Sequence, residues 1–183
     1  MKYLFFTISF ILFCFAEPVG LQAQNKKEEE LLDWSPTRKL TWADYKADPD
    51  PNSDAAASTT TYLAIDYNIS NTGFTYKIES RFSKTRSWGL HKTDYILSHE
   101  QGHFDIAEVY ARMLHKRMSE YKFSRKTYEK DLSKIYKDVT DEKTKTQDDY
   151  DNETRHSIDK EKQAEWLKKI GKMLEEYKDY ADY

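Results

Sequence analysis

Five consecutive residues have the types and spacing that suit metal-assisted hydrolysis: His99, Glu100, Gln101, Gly102 and His103. On a helix, positions four apart sit about 40° from each other around the axis, so His99 and His103 can grip one cation from the same side. Glu100 lies about 60° further round from His103. Its carboxylate then stands beside a bound ion, where it can take a proton from an attacking water. Zinc suits two imidazoles plus a third ligand, and it lowers the pKa of its water toward about 7. With 5 His in 183 residues, only about 0.01 such motifs are expected by chance. The pattern therefore carries weight.

The third ligand must come from another segment. By the helical angle, Asp105, Glu108 and His115 face away from the pair, and His91 reaches only if its loop folds back. His156 is the remaining histidine, in Tyr150-Asp151-Asn152-Glu153-Thr154-Arg155-His156. Read as a loop before the last helix, this stretch makes His156 the expected third metal ligand, with Asp151 and Glu153 as alternatives. Asp151 could instead support a ligand histidine by hydrogen bonding. Tyr150 and Arg155 are candidate donors to a developing oxyanion. The competing readings are core packing for Tyr150 and a surface charge for Arg155.

The positioning elements follow from periodicity. A helix is expected over 94–122, capped by Thr93 or Asp94. Ile96, Leu97, Ala107, Tyr110, Ala111, Leu114 and Met118 make it central. A second helix is expected over 125–149, although the charged run Thr140 to Asp149 reads as a solvated helix end or a loop. A third, over 158–178, carries Trp166, Leu167, Ile170, Met173, Leu174 and Tyr177 at helical spacing. Two alternating runs over 59–82, joined by Ser70-Asn71-Thr72-Gly73, predict a β-hairpin. Its edge could align an extended substrate by strand addition. Residues 25–58 read as irregular, with Trp34, Trp42 and the loop Asp48-Pro49-Asp50-Pro51-Asn52.

Composition narrows the function classes. A net charge of -3 with 33% charged residues lacks the basic surplus of a nucleic-acid binder. The basic start Met1-Lys2, the apolar run Tyr3 to Ala16 and the small-residue exit near Ala23 read as a secretory signal over residues 1–24. Cys14 lies in that run after Phe13, which does not suit a lipidation site. Residues 25–183 then form one exported domain, periplasmic or extracellular, without cysteine, membrane span or disulfide, and monomeric by default.

The chain resembles a bacterial family labelled domain of unknown function nine hundred and twenty-two, whose members are described as predicted secreted zinc-dependent proteases. The resemblance rests on His99 to Glu108 with Tyr110-Ala111-Arg112, and on Tyr150-Asp151, Thr154, His156, Gln163 and Trp166. Weaker support comes from Leu40 to Tyr45 and from Phe82 with Ser87-Trp88. The family pattern has Gly where this chain has Ser157. The resemblance implies a metalloprotease-like zinc site with Glu100 as catalytic base.

The expected fold class is α+β: an N-terminal β-hairpin or small antiparallel sheet packed on a mainly helical, zincin-like part, with the motif on a central helix. The expected function is a secreted Zn²⁺-dependent hydrolase of a peptide or protein substrate, with His99, His103 and His156 on the metal. Its rivals are a zinc hydrolase of other amides or esters and an exported binding protein that uses zinc only for stability.

Overall fold

The computed structural model describes residues 28–70 and 73–183. The signal-segment reading of residues 1–24 falls outside them, as do Asn71 and Thr72 of the hairpin turn. Among the described residues, no helix is long and apolar enough to cross a membrane.

The two alternating runs form strands β3 (Thr61–Ile69) and β4 (Phe74–Ser83), paired antiparallel with Ile65 opposite Ile78 and Leu63 opposite Ser80. This register puts Leu63, Ile65, Phe74, Tyr76 and Ile78 on one face, and that face packs into the main core. Lys77, Glu79 and Arg81 lie on the other and pair with one another. The N-terminal stretch is more ordered than its composition suggests. Strand β1 (Leu31–Asp33) adds to β4, with Leu32 opposite Phe82, so the sheet order is β1-β4-β3. Short strands β2 (Ala57–Ser58) and β5 (Trp88–Gly89) make a second antiparallel pair.

Three helices follow: α1 (Asp94–Glu120), α2 (Tyr128–Thr154) and α3 (Lys160–Glu176). The Thr93 side chain accepts from the Ile96 N–H at the start of α1, and Asp159 does the same for Lys162 at the start of α3. Each satisfies one backbone donor that a helix start leaves free. The apolar stripe Ile106, Val109, Tyr110, Leu114 and Met118 lets α1 serve as the shared wall of the molecule. It packs against the sheet through Leu63 and Ile78, and against α2 and α3 through Leu132, Val139, Tyr150, Trp166 and Ile170. A smaller core of Leu40, Tyr45, Phe82, Phe104 and Ala107, flanked by Trp34 and Trp42, seats the N-terminal stretch beside the same helix.

The charged run Thr140 to Asp149 is neither loop nor frayed end. Helix α2 runs straight through it and takes in Tyr150 and Asp151 as well. The reason lies in its neighbours: Val139 and Tyr150 are fully buried, and Thr146 hydrogen-bonds the Tyr110 hydroxyl at 2.7 Å. Tertiary contact sustains a helix that its own apolar pattern does not advertise.

Candidate metal centre

Helix α1 receives the Tyr150 side chain of α2 at Gly102. A β-carbon there would lie 2.6 Å from the Tyr150 hydroxyl oxygen, so only glycine admits that ring against the helix backbone. The Tyr150 hydroxyl donates to the His99 carbonyl at 3.2 Å, and its ring stacks on the His99 imidazole with centroids 4.5 Å apart. Tyr150 is fully buried. Of the two readings open for Tyr150, an oxyanion donor or core packing, its burial and its hydroxyl's bond to the His99 carbonyl favour packing beneath the histidines, in the seam between α1 and α2.

That seam delivers the next residue, Asp151, to the histidine pair. Asp151 Oδ1 lies 3.1 Å from His99 Nε2 and 3.1 Å from His103 Nε2, and the two imidazole nitrogens are 3.2 Å apart. Zinc–nitrogen and zinc–oxygen bonds of about 2.0 Å in a tetrahedron imply ligand–ligand edges of about 3.3 Å. The observed triangle fits a small tetrahedral cation without rearrangement. His99, His103 and Asp151 form a three-residue cluster able to hold a metal ion.

The surroundings orient the donors. Gln147, one turn before Asp151, accepts a hydrogen bond from His103 Nδ1 at 2.5 Å and donates to the His103 carbonyl at 2.9 Å. The amide oxygen can only accept, so the neutral imidazole carries its proton on Nδ1 and turns the Nε2 lone pair toward Asp151 and His99. His99 Nδ1 is buried with no hydrogen-bond partner among the described residues. Burial works to lower the His103 pKa, but the Asp151 carboxylate outweighs it and holds the imidazole above its ordinary value. Asp151 moves the opposite way: burial works to raise it, and the two imidazoles hold it well below the usual carboxylate range. Both directions describe a cluster that calls for positive charge at its centre, as protons or as a metal ion.

Glu100 is 4% exposed and reaches the same cleft from α1. Its Oε2 accepts from the Thr59 hydroxyl at 2.5 Å, and Thr59 Oγ1 lies 2.8 Å from the Tyr45 hydroxyl. Thr59 has one proton to give and gives it to the carboxylate, so Tyr45 must donate to Thr59. Burial, helped by the Glu100 charge, pushes the Tyr45 phenol far up and keeps it a donor. Gln101 and Asp105 serve the fold. Gln101 accepts from the Leu40 N–H at 2.8 Å, and Asp105 accepts from Trp34 Nε1 at 2.8 Å.

His156 does not join the triangle. It sits past the end of α2 with its side chain 69% exposed, and its Nδ1 lies 3.5 Å from Asp151 Oδ1. Asp151 occupies the place that the sequence suggested for His156, because α2 continues far enough to carry it there. The turn holding His156 is unusual. Arg155, His156 and Ser157 have φ of 51°, 52° and 71°, all in the left-handed region. Hydrogen bonds from His156 N to the Asp151 carbonyl, at 2.8 Å, and from the Tyr95 hydroxyl to the Ser157 carbonyl, at 2.8 Å, hold it in place. The left-handed φ of Ser157 accounts for the glycine that the family resemblance carries at this position. Arg155 is exposed at the helix end, Glu153 accepts from Trp166 Nε1, and His91 is exposed ahead of α1.

The metal cluster and Glu100 border a cleft of about 640 Å³, walled by the stretch from Ala55 to Thr61, Trp88, His99, Glu100, His103 and the face of α2 that carries Lys143, Gln147 and Asp151. Gln147, Thr59 and Tyr45 carry no site role in the sequence reading, where Thr59 belongs to the hairpin alternation and Tyr45 to the weaker family match. For Gln147 there was a signal: Lys143, Gln147 and Asp151 recur every four residues, a single helical face, had α2 been carried through the charged run. For Thr59 and Tyr45 no local pattern points to Glu100.

The fold and site define an α+β domain: a small antiparallel sheet packed against three helices, with a two-histidine, one-carboxylate cluster between α1 and α2. The chain belongs to the bacterial family of unknown function DUF922, which it matches over residues 22–157. That span includes the motif, Thr59, Gln147, Asp151 and His156. The family description states no activity, so membership by itself assigns no protease chemistry. No curated protein and no solved structure matches the chain.

Proposed function

We propose that this protein is an exported zinc-dependent hydrolase of peptide bonds, with a zincin-like arrangement of the motif helix. The observation that carries the reading is the triangle of His99 Nε2, His103 Nε2 and Asp151 Oδ1, with edges of 3.1–3.2 Å, beside the buried carboxylate of Glu100. A zinc ion there supplies a Lewis acid that lowers the pKa of a water toward about 7 and polarises a carbonyl. Zinc is preferred over other divalent ions because the donor set is compact and nitrogen-rich and because the base-bearing motif goes with it.

The chain's own residues do the rest. His99, His103 and Asp151 would hold the ion, and a site with three protein ligands is of the open kind that serves catalysis. Glu100 takes the proton of the attacking water and passes it to the leaving amine, while Thr59 and Tyr45 fix the carboxylate that does so. Gln147 locks the His103 tautomer. His156 stands at the rim of the cleft, on a turn whose backbone strain is typical of functional positions.

Metal analysis and digestion of a mixed peptide pool test this together. The purified protein should hold about one zinc per chain and cut peptides. Glu100→Gln should keep the zinc and lose roughly 10²–10⁴-fold in rate. A protein without zinc overturns the reading. Zinc held with no cleavage turns it into a metal-stabilised binding protein. Cleavage only of ester or non-peptide amide probes reassigns the substrate.

A further inference from the structure

Lys143 is the one Lys or Arg side chain among the described residues lining the cleft. It is half-buried, and its only resolved influence is burial, which pushes the ammonium below its ordinary pKa. Its neighbours on α2 behave differently. Lys134, Lys137 and Lys145 each pair with an aspartate four residues on. The positions one turn either side of Lys143 are Val139, Thr140, Thr146 and Gln147, none of them charged. Lys143 therefore has no carboxylate partner among the described residues, yet it is partly desolvated, an arrangement that is costly unless an anion completes it. It lies on the same face of α2 as Gln147 and Asp151, eight residues before the latter. That spacing amounts to roughly 12 Å along the helix.

We propose that Lys143 anchors a carboxylate of the substrate, so that the cleft takes peptides bearing a negative charge two to four residues from the bond to be cut. An extended peptide advances about 3.3–3.6 Å per residue, which converts the helical spacing into that number. The carboxylate is an Asp or Glu side chain or the C-terminus of the peptide. This inference rests on the hydrolase reading above.

The zinc-loaded protein is given two peptide libraries, one with free and one with amidated C-termini, and the cut sites are sequenced. A side-chain anchor shows as enrichment of Asp and Glu at one position in both libraries; a terminal anchor shows as cleavage confined to the free one. Lys143→Met should keep its zinc and lose the preference, and Lys143→Glu should reverse it toward Lys and Arg. Binding is read separately by titrating one cut sequence, fluorescently labelled, onto the Glu100→Gln protein. Replacing its carboxylate by an amide should weaken binding about tenfold, and the difference should vanish when Lys143→Met is added. Cleavage without charge preference, unchanged in Lys143→Met, overturns the anchor and leaves the hydrolase. No cleavage by the zinc-loaded protein overturns both.

Discussion

Helix α1 carries two buried charged clusters, one at each side of Phe104, and they are built on opposite principles. Toward the C-terminal side, Glu108 is closed. Its Oε1 accepts from Arg112 Nε at 2.8 Å and its Oε2 from the Tyr183 hydroxyl at 2.6 Å. Arg112 in turn donates to the Leu174 carbonyl at 2.8 Å and packs over the Trp34 ring. Both Glu108 oxygens there find a donor within the protein. Toward the N-terminal side, His99 Nε2, His103 Nε2 and Asp151 Oδ1 converge on one another, and Gln147 accepts the Nδ1 proton of His103 on the far side of its ring. Burial alone therefore does not mark a ligand site. Convergence of three metal-ligating atoms on one point does.

The sharpest way to break this contrast is to remove a carboxylate from each cluster. Asp151→Ala should reduce zinc affinity at least about 100-fold, with metal content falling to background on desalting. Glu108→Ala should leave the zinc in place and cost about 3–5 kcal/mol in denaturant unfolding, because Arg112 is left buried and unpaired. Loss of zinc from Glu108→Ala would mean that the two clusters are one system. His156→Ala belongs beside Asp151→Ala: it should retain the ion, and a variant stripped of zinc would restore His156 as a ligand.

Next in size is Gly102→Ala. Alanine favours a helix interior by about 1 kcal/mol over glycine, yet the new methyl collides with Tyr150 and displaces Asp151. Zinc affinity should fall about tenfold, read by competition with a chelator, and a more stable, fully loaded variant would contradict the seam described here. A smaller effect is expected from Thr59→Val. It removes the hydroxyl that donates to Glu100 and should lower kcat about tenfold, with KM and zinc content unchanged. Thr59→Ser should restore the rate, and failure of that rescue would make Thr59 a packing residue. The smallest change is a gain. Ser157→Gly should stabilise the protein by about 1 kcal/mol, since a left-handed backbone costs a serine roughly that much. A loss of stability would show that the Ser157 side chain matters more than its φ.

Much of this was legible from residues alone where the determinants are local. The hairpin strands follow from alternation, and Thr93 at the head of α1 follows from capping. The His99–Glu100–His103 geometry follows from a helix whose turn is invariant. Legibility failed where burial by distant residues decides the structure. The run Thr140 to Asp149 lacks an apolar stripe, so nothing local announced that α2 passes through it. With the helix cut short, Tyr150 and Asp151 looked like loop residues, and histidine was the natural choice for a third ligand. Strand β1 was hidden for a similar reason: three residues have no period to read, and their pairing is supplied by β4.

The placing of His99 and His103 on one helix face and the α+β division are thus determined by the sequence itself, because helix and strand periods place side chains four or two residues apart whatever surrounds them. Which carboxylate completes the triangle, which tautomer His103 adopts and what steadies Glu100 were decided only by tertiary structure. Those contacts join residues 48 and 52 positions apart for Asp151 with the two histidines, 44 for His103 with Gln147 and 41 for Glu100 with Thr59. No local rule spans such separations. The contacts between α1 and α2 form where a glycine, Gly102, admits the Tyr150 ring against the helix backbone.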